Sequence, residues 1–302
     1  MDYKKILLII NPKAGITSHR YNIFDIIESF CKRGCITSTL TTLKAGDALD
    51  LTSQNAETHD MVVCSGGDGT LNETVTGLMK ANSKIPIGYI PAGSTNDMAR
   101  TLEIPKKPKK AAELIMEGSP HPFDIGKFGD GRYFCYTASF GAFTRVSYST
   151  PRKLKNVFGH FAYVLDAIAK MGMELVPIEV SVKTDDFETS GEFLLGGIFN
   201  AKSVAGLIKL DKCGVELDDG LFELILIRKP KTAEELVKTI DNLKKQIFTD
   251  QTVIFKKVRW AQFSFKKPTP WSLDGESGGE TETVRIENIK HAVSIFGKKQ
   301  EQ

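Results

Sequence analysis

Along the first hundred residues, short unbroken apolar runs alternate with stretches whose apolar residues recur at helical spacing. KKILLII (4–10), DMVVC (60–64) and IPIGYI (85–90) are dense in Ile, Leu and Val and bounded by polar turns, the pattern of strands buried on both faces. CITSTLTTL (35–43) is rich in β-branched residues and predicts a fourth strand. Between these, YNIFDIIESFCKRG (21–34) places Ile23, Ile26, Ile27 and Phe30 on one helical face, and TLNETVTGLMKA (70–81) does the same with Leu71, Val75 and Leu78. Further helices are expected around 46–56 and from STNDMARTL (94–102). Strands alternating with helices predict a parallel sheet with helices on both faces.

Past about residue 125 the rhythm changes. RYFCYTASF (132–140), ELVPIEVSVKT (174–184), GEFLLGGIFN (191–200), GLFELILIRK (220–229) and VIFKKVRWAQFSF (253–265) read as strands, several alternating apolar with polar. That half is expected to be antiparallel β, a sandwich or barrel. Two helices interrupt it. One spans 152–171, with Leu154, Phe158, Phe161, Leu165 and Ile168 in helical register. The other spans 232–248, where Thr232 and Glu235 form a capping-box pattern.

Composition narrows the class. The 302 residues suit two domains, and 41% apolar with 25% charged residues is an ordinary globular balance. A net charge of +3, from 40 basic and 37 acidic residues, is too mild for a nucleic-acid binder. Five scattered cysteines fit reduced thiols in the cytosol better than a disulfide framework, and Cys31 and Cys35 have no neighbouring partners for zinc. No apolar run approaches the ~18 residues that span a bilayer. The run ILLII (6–10), preceded by Asp2, is too short for a signal-peptide core. A cytoplasmic protein is expected, with a membrane surface still open to it.

The chemistry concentrates in a few loops. In SGGDGTLNE (65–73), Gly66, Gly67 and Gly69 permit a sharp turn and close approach to a ligand. Thr70 and Glu73 match S/T-x-x-E, which predicts Thr70 as the cap of the following helix, whose free N–H groups would receive an anion. Asp68 sits in that turn, where phosphate alone would be repelled. A divalent cation between them reverses the balance, so the turn predicts Mg-nucleotide rather than bare phosphate. PAGSTND (91–97) repeats the arrangement after a strand, with Gly93, the hydroxyls of Ser94 and Thr95, and Asp97 at a helix start; Asp97 alone is more often an N-cap. NPKAG (11–15) follows a third strand. Loops beyond the carboxyl ends of adjacent parallel strands converge on one crevice. Neither G-x-x-x-x-G-K-[ST] nor G-x-G-x-x-G occurs, so this is no P-loop and no standard dinucleotide site. WSLDGESGG (271–279) adds an acid, Glu276, after an Asp274-Gly275 turn; transfer of a phosphoryl group to a hydroxyl needs such a carboxylate.

NPKAG, GGDGTLNE, PAGSTND and LDGE, in this order and across essentially the whole chain, resemble the diacylglycerol kinase catalytic family, nearest to its soluble bacterial lipid kinases and more distantly to sphingosine and ceramide kinases. GGDGT alone is shared with NAD kinases. The resemblance implies an ATP-binding, Rossmann-like α/β domain over 1–125 and an antiparallel β-sandwich lipid-substrate domain over 126–302. It implies ATP contacts from Asn11, Pro12, Lys13, Ala14 and Gly15, from Thr42, from Gly66, Gly67, Asp68, Gly69, Thr70, Leu71 and Asn72, and from Ser94, Asn96 and Asp97. Glu276 would be the general base, with Asp274 and Asp68 beside it in the catalytic group. Asp68, Asp97, Asp124 and Asp274 would form an acidic network around Mg²⁺. LDDGLF (217–222) resembles a segment holding a second, structural Mg²⁺ through Asp219 and main-chain oxygens near Glu216 and Leu221, although DDG by itself reads as a hairpin turn.

Three basic clusters bear on the lipid: Lys106, Lys107, Lys109 and Lys110; Arg228, Lys229 and Lys231; and Lys256, Lys257 and Arg259 with Trp260. Each exposed cation near anionic lipid contributes ~1 kcal/mol, so peripheral association with the inner membrane face is expected, against the plainer reading of solvated faces. The acceptor stays open among diacylglycerol, phosphatidylglycerol, a polyprenol and a sphingoid base, diacylglycerol coming first from the family. The competing readings are an NAD kinase and a nucleotide- or lipid-binding protein without turnover. Oligomeric state is open, a homodimer included.

Overall fold

The computed structural model describes residues 4–15, 23–94, 96–141, 176–204, 208–210 and 212–298. The helix expected over 152–171 lies outside them. The fold is mixed α/β and divides into two compact units, Met1–Ile125 with His291–Gln302, and Gly126–Lys290. The sequence-based division assigned all of 126–302 to the second.

In the first unit, β1 (Lys4–Ile10), β2 (Cys35–Thr41), β3 (Met61–Gly66) and β4 (Ile87–Pro91) pair in parallel in the order β4-β3-β1-β2. Ile6 to Ile9 and Met61 to Cys64 are wholly inaccessible, which is why these strands read as unbroken apolar runs. The helices are α1 (Ile23–Cys31), α2 (Asp47–Asn55), α3 (Asp68–Ala81), α4 (Asp97–Thr101) and α5 (Pro108–Glu117). The polar, Pro-interrupted stretch around α5 gave no helix in the sequence reading. Pro108 stands in its first turn, where a missing N–H costs nothing, and it buries only Ala111, Ala112 and Ile115.

The second unit is built from antiparallel strands: β5 (Pro120–Phe128, which begins in the first unit), β6 (Arg132–Phe134), β7 (Thr137–Gly141), β8 (Ile178–Lys183), β9 (Glu188–Phe199), the short pair β10 (Ser203–Val204) and β11 (Ile208–Lys209), β12 (Phe222–Arg228), β13 (Val253–Val258), β14 (Trp260–Leu273) and β15 (Glu276–Phe296). β9 pairs with β8 along its first half and β7 along its second, and β14 does the same. The four strands therefore close on one another. Their interior is aromatic: Trp271 meets Phe128, Phe140, Phe263 and Phe265 edge-on, with ring centroids 5.1–5.9 Å apart. α6 (Ala233–Lys245) begins with the expected cap, the Thr232 hydroxyl accepting from Glu235 N at 3.1 Å. The Glu235 carboxylate closes back on Lys231 N at 2.6 Å. The last residues of β15 return to the first unit, where Ile295 aligns in parallel with Ile87.

Candidate active site

Three loops leave the carboxyl ends of β1, β3 and β4 and touch. Gly67 and Gly93 meet backbone to backbone: a Cβ on Gly93 would lie 2.6 Å from the Gly67 Cα. A Cβ on Gly15, whose φ is +80°, would lie 2.7 Å from the Ala92 carbonyl oxygen. Asn11 N donates to Ser65 O at 2.8 Å, its side-chain amide donates to Thr70 Oγ1 at 3.0 Å, and its Oδ1 accepts from Lys13 N at 3.0 Å. Pro12, Lys13 and Gly15 are exposed and Ala14 half-buried. Asn96, in the left-handed region at φ 50°, folds its own loop back by exchanging bonds with Gly93 N and O, and its Oδ1 also accepts from the Tyr89 hydroxyl at 3.2 Å. Ser94 is exposed.

Helix α3 starts three residues earlier than the capping motif suggested. Asp68 is its first residue and Gly67 its N-cap, and no side chain caps it, so the amides of Asp68, Gly69 and Thr70 head an open helix start. Thr70 is therefore not the cap; it lies inside the first turn, its hydroxyl accepting from Asn11. Glu73 closes no capping box. It reaches across to the start of α2 and accepts from Gly46 N (2.8 Å) and Ala48 N (3.1 Å). Glu73 thereby ties the loop after Thr42 to α3, a role that local spacing could not reveal. Lys13 Nζ donates to Leu43 O in the same loop at 3.1 Å. Thr42 is buried, its amide on Ile10 O. The Leu71 side chain is wholly in the core with its amide on Gly67 O, so it has no side-chain surface for a ligand. Asn72 is half-buried.

Asp68 has a partner on its neighbour. Its carboxylate accepts from Asp97 N (3.1 Å) and Met98 N (3.2 Å) and so caps α4. Burial raises the pKa of Asp68, those amides opposing it. Asp97 is raised as well, by burial first and then by Asp68, while Arg100, paired with it at 2.8 Å, pulls down. Two crowded carboxylates beside an open helix start are the donor set of a hard divalent ion, which takes one or two protein acids and completes its shell with phosphate and water. Two acids alone would not make a protein cage for that ion, so most of its shell would have to come from elsewhere. Among the described residues no three acids, histidines or cysteines gather to hold a metal. Asp124, expected in the acidic network, is fully buried on β5 with Oδ1 accepting from His291 N at 2.8 Å.

In the second unit, Asp274 and Gly275 form the two-residue turn joining β14 to β15, both at positive φ (50° and 84°). The Asp274 carboxylate accepts from Cys135 N (2.7 Å), Tyr136 N (2.9 Å) and Thr137 N (3.0 Å), which anchors the turn on the link between β6 and β7. Glu276 follows it, exposed, as the first residue of β15. At the expected second metal site, Asp219 Oδ1 accepts from Leu221 N at 2.8 Å and Oδ2 pairs with Lys257 Nζ at 3.2 Å. Lys290 Nζ donates to Asp219 O at 3.2 Å, and Lys257 Nζ also reaches Gly214 O. One ammonium group, Lys257, already pairs with that carboxylate and Lys290 occupies the main-chain oxygen, so a Mg²⁺ held by Asp219 with Glu216 and Leu221 would have to displace Lys257. Glu223, which the sequence reading passed over as one acid in an apolar strand, is fully buried close by, opposite Lys257 in the ladder.

The diacylglycerol kinase catalytic domain family model matches residues 5–128. A diacylglycerol kinase of Bacillus subtilis is 33% identical over 297 residues, 98% of this chain and 97% of that protein. One from Staphylococcus carnosus is 35% identical over 303 residues, covering 98% and 96%. A crystal structure of a Bacillus anthracis diacylglycerol kinase superposes with a TM-score of 0.76 at 22% identity, covering 99% and 98% of the two chains. A second chain from that organism reaches 0.83 at 24%, covering 99% and 96%. The structural likeness speaks for the fold; the identity, sustained from end to end, means that this chain belongs to the diacylglycerol kinase family of lipid kinases.

Proposed function

We propose that this chain transfers the γ-phosphoryl group of ATP to a lipid hydroxyl, diacylglycerol foremost, giving ADP and phosphatidic acid. The observation that carries the reading is the contact of three glycine loops beside an uncapped helix start, in a chain of this family. The amides at the head of α3 cradle phosphate, with Asn11 to Gly15, Thr42, Gly66 to Asn72, Ser94 and Asn96 around the nucleotide; Leu71 contributes position only. Asp68 and Asp97 are the residues that would hold Mg²⁺, whose charge would neutralise that of the phosphates. Glu276 accepts the proton of the lipid hydroxyl as the oxygen–phosphorus bond forms and the bond from the γ-phosphorus to the bridging oxygen breaks. Asp274 supports Glu276 by fixing its turn. The parallel strands of the first unit suit a Rossmann-like nucleotide domain, and the closed strands of the second a sandwich-type lipid domain. The work site is the inner face of the membrane, reached from the cytoplasm; a homodimer is compatible with it.

The test is ATP consumption with Mg²⁺ and detergent-dispersed mixed lipids, with NAD as the other acceptor. Lipid-dependent consumption is expected. Consumption with NAD alone, or nucleotide binding without turnover on any acceptor, would overturn the reading.

A further inference from the structure

The three basic clusters differ once their partners are known. Arg228 stacks on Phe193 and donates to Asp250 O and Thr189, and Lys229 pairs with Glu192. Lys256 pairs with Asp250, Lys257 with Asp219 and Arg259 with Asp185. Those charges are largely spent inside the second unit. Lys106, Lys107, Lys109 and Lys110 are all exposed, and their side chains take part in no ion pair or hydrogen bond among the described residues. The acids near them are engaged or fail to reach them. Glu28 feels Lys109 but is paired with Lys32 at 2.8 Å, Glu103 is paired with Lys298, and Glu113, one turn along α5, makes no ion pair among the described residues.

The placement adds to this. Lys107 is the N-cap of α5, and Lys109 and Lys110 lie in a first turn that has no acid. The positive end of the helix dipole therefore adds to four like charges, an arrangement that destabilises the helix start unless an anion faces it. The other end of α5 sits at the amino edge of the parallel sheet. Glu117 pairs with Arg33, Cys35 at the start of β2 contacts Met116, and Ile115 packs where a Gly88 Cβ would go, near the start of β4. From there α5 runs back, by about 1.5 Å per residue, toward the edge where the strands end and the glycine loops begin. The lysines thus point the loop-bearing side of the first unit toward whatever they bind.

We propose that Lys106, Lys107, Lys109 and Lys110 form the surface by which this chain seats on an anionic lipid bilayer, with the carboxyl edge of its parallel sheet turned toward the headgroups. The proposal rests on the lipid-kinase reading only for the choice of lipid over other polyanions. The occupant is a surface of phosphodiester headgroups, because four mobile ammonium groups in five residues supply charge density without the planar, bidentate geometry that selects a single phosphate.

The full chain is sedimented with phosphatidylcholine vesicles, with or without phosphatidylglycerol, over a salt series. Binding only to the phosphatidylglycerol vesicles, weakening with salt, is expected. K106Q/K107Q/K109Q/K110Q should lower the partition coefficient by on the order of 10³-fold, while the four Lys→Arg replacements and the control K229Q/K256Q retain it. Turnover of detergent-dispersed lipid by the four-Gln variant should match wild type, which excludes misfolding. Equal binding of wild type and the four-Gln variant, or equal binding to uncharged vesicles, would overturn the proposal. So would lysine-dependent binding to duplex DNA at the same salt that exceeds binding to the vesicles. Loss of turnover on every lipid, with vesicle binding intact, would instead strike the kinase reading and leave this surface standing.

Discussion

Glu223 is an acid in a place that disfavours its charge. It is fully buried in β12, and neither carboxylate oxygen has a hydrogen-bond partner among the described residues. Burial pushes its pKa up to about 8, with Lys257 pulling it back. Because the folded value lies above the ordinary 4.5, the folded protein keeps a proton that the unfolded chain releases. The resulting stability is complete below pH 4.5 and drains away as pH rises toward about 8. Glu223→Gln keeps a neutral side chain throughout. Relative to wild type it should gain stability through that window, at no more than about 1.4 kcal/mol per pH unit, and nothing below it. Urea unfolding of both proteins across the window measures this, and a difference that stays constant with pH would rule out the buried charge as its source. Asp68 shows the opposite solution: two backbone amides satisfy its carboxylate, and the same bonds hold α4 against α3.

Among the elements, the glycine loops are shaped as much by what holds them as by their own residues. Glu73 fixes the start of α2 from α3, with Lys13 and Asp47 holding the same loop. Removing a cap of this kind costs about 1 kcal/mol of stability, and here it also frees the loop that follows Thr42. Glu73→Ala should raise the KM for ATP several-fold with kcat within about twofold, and Glu73→Gln, which keeps one accepting oxygen, should fall between. Steady-state kinetics decide it; a drop in melting temperature with KM unmoved would make the clamp structural only. The parallel strands β1, β3 and β4 were legible as unbroken apolar runs, and the longer helices because their apolar residues keep a period. Caps were legible only when the partner was local: Thr232 with Glu235 was found, whereas Glu73 bonds residues 25 and 27 positions away. Helix α5 was hidden because two alanines and one isoleucine make too weak a stripe, and the partner of Asp124 because His291 lies 167 residues further along the chain.

At the scale of the whole molecule, the cut at 125/126 has a signature in the sequence, the change from buried runs to alternation. The second cut, at 290/291, has none. It falls inside the continuous strand β15, and nothing local says that His291 onward belongs beside β4. The closure of β7, β8, β9 and β14 is likewise a matter of which strands meet, and alternation fixes only which face each presents. The motif loops were easier to read because turns at strand ends demand glycine and small polar residues whatever lies around them. The partners of Asp219 and Asp274 were not, since Lys257 and the 135–137 amides reach them from far along the chain.

The most direct measurement is mass spectrometry of a total lipid extract after incubation with Mg²⁺ and ATP carrying labelled γ-phosphate. Wild type should place the label on a lipid hydroxyl, phosphatidic acid foremost, with one ADP per product. Chelating the divalent ions should abolish this, and Glu276→Gln should slow it on the order of 10²-fold at unchanged ATP affinity. Label released only as free phosphate, or a Glu276→Gln variant that labels lipid at the wild-type rate, would contradict the account.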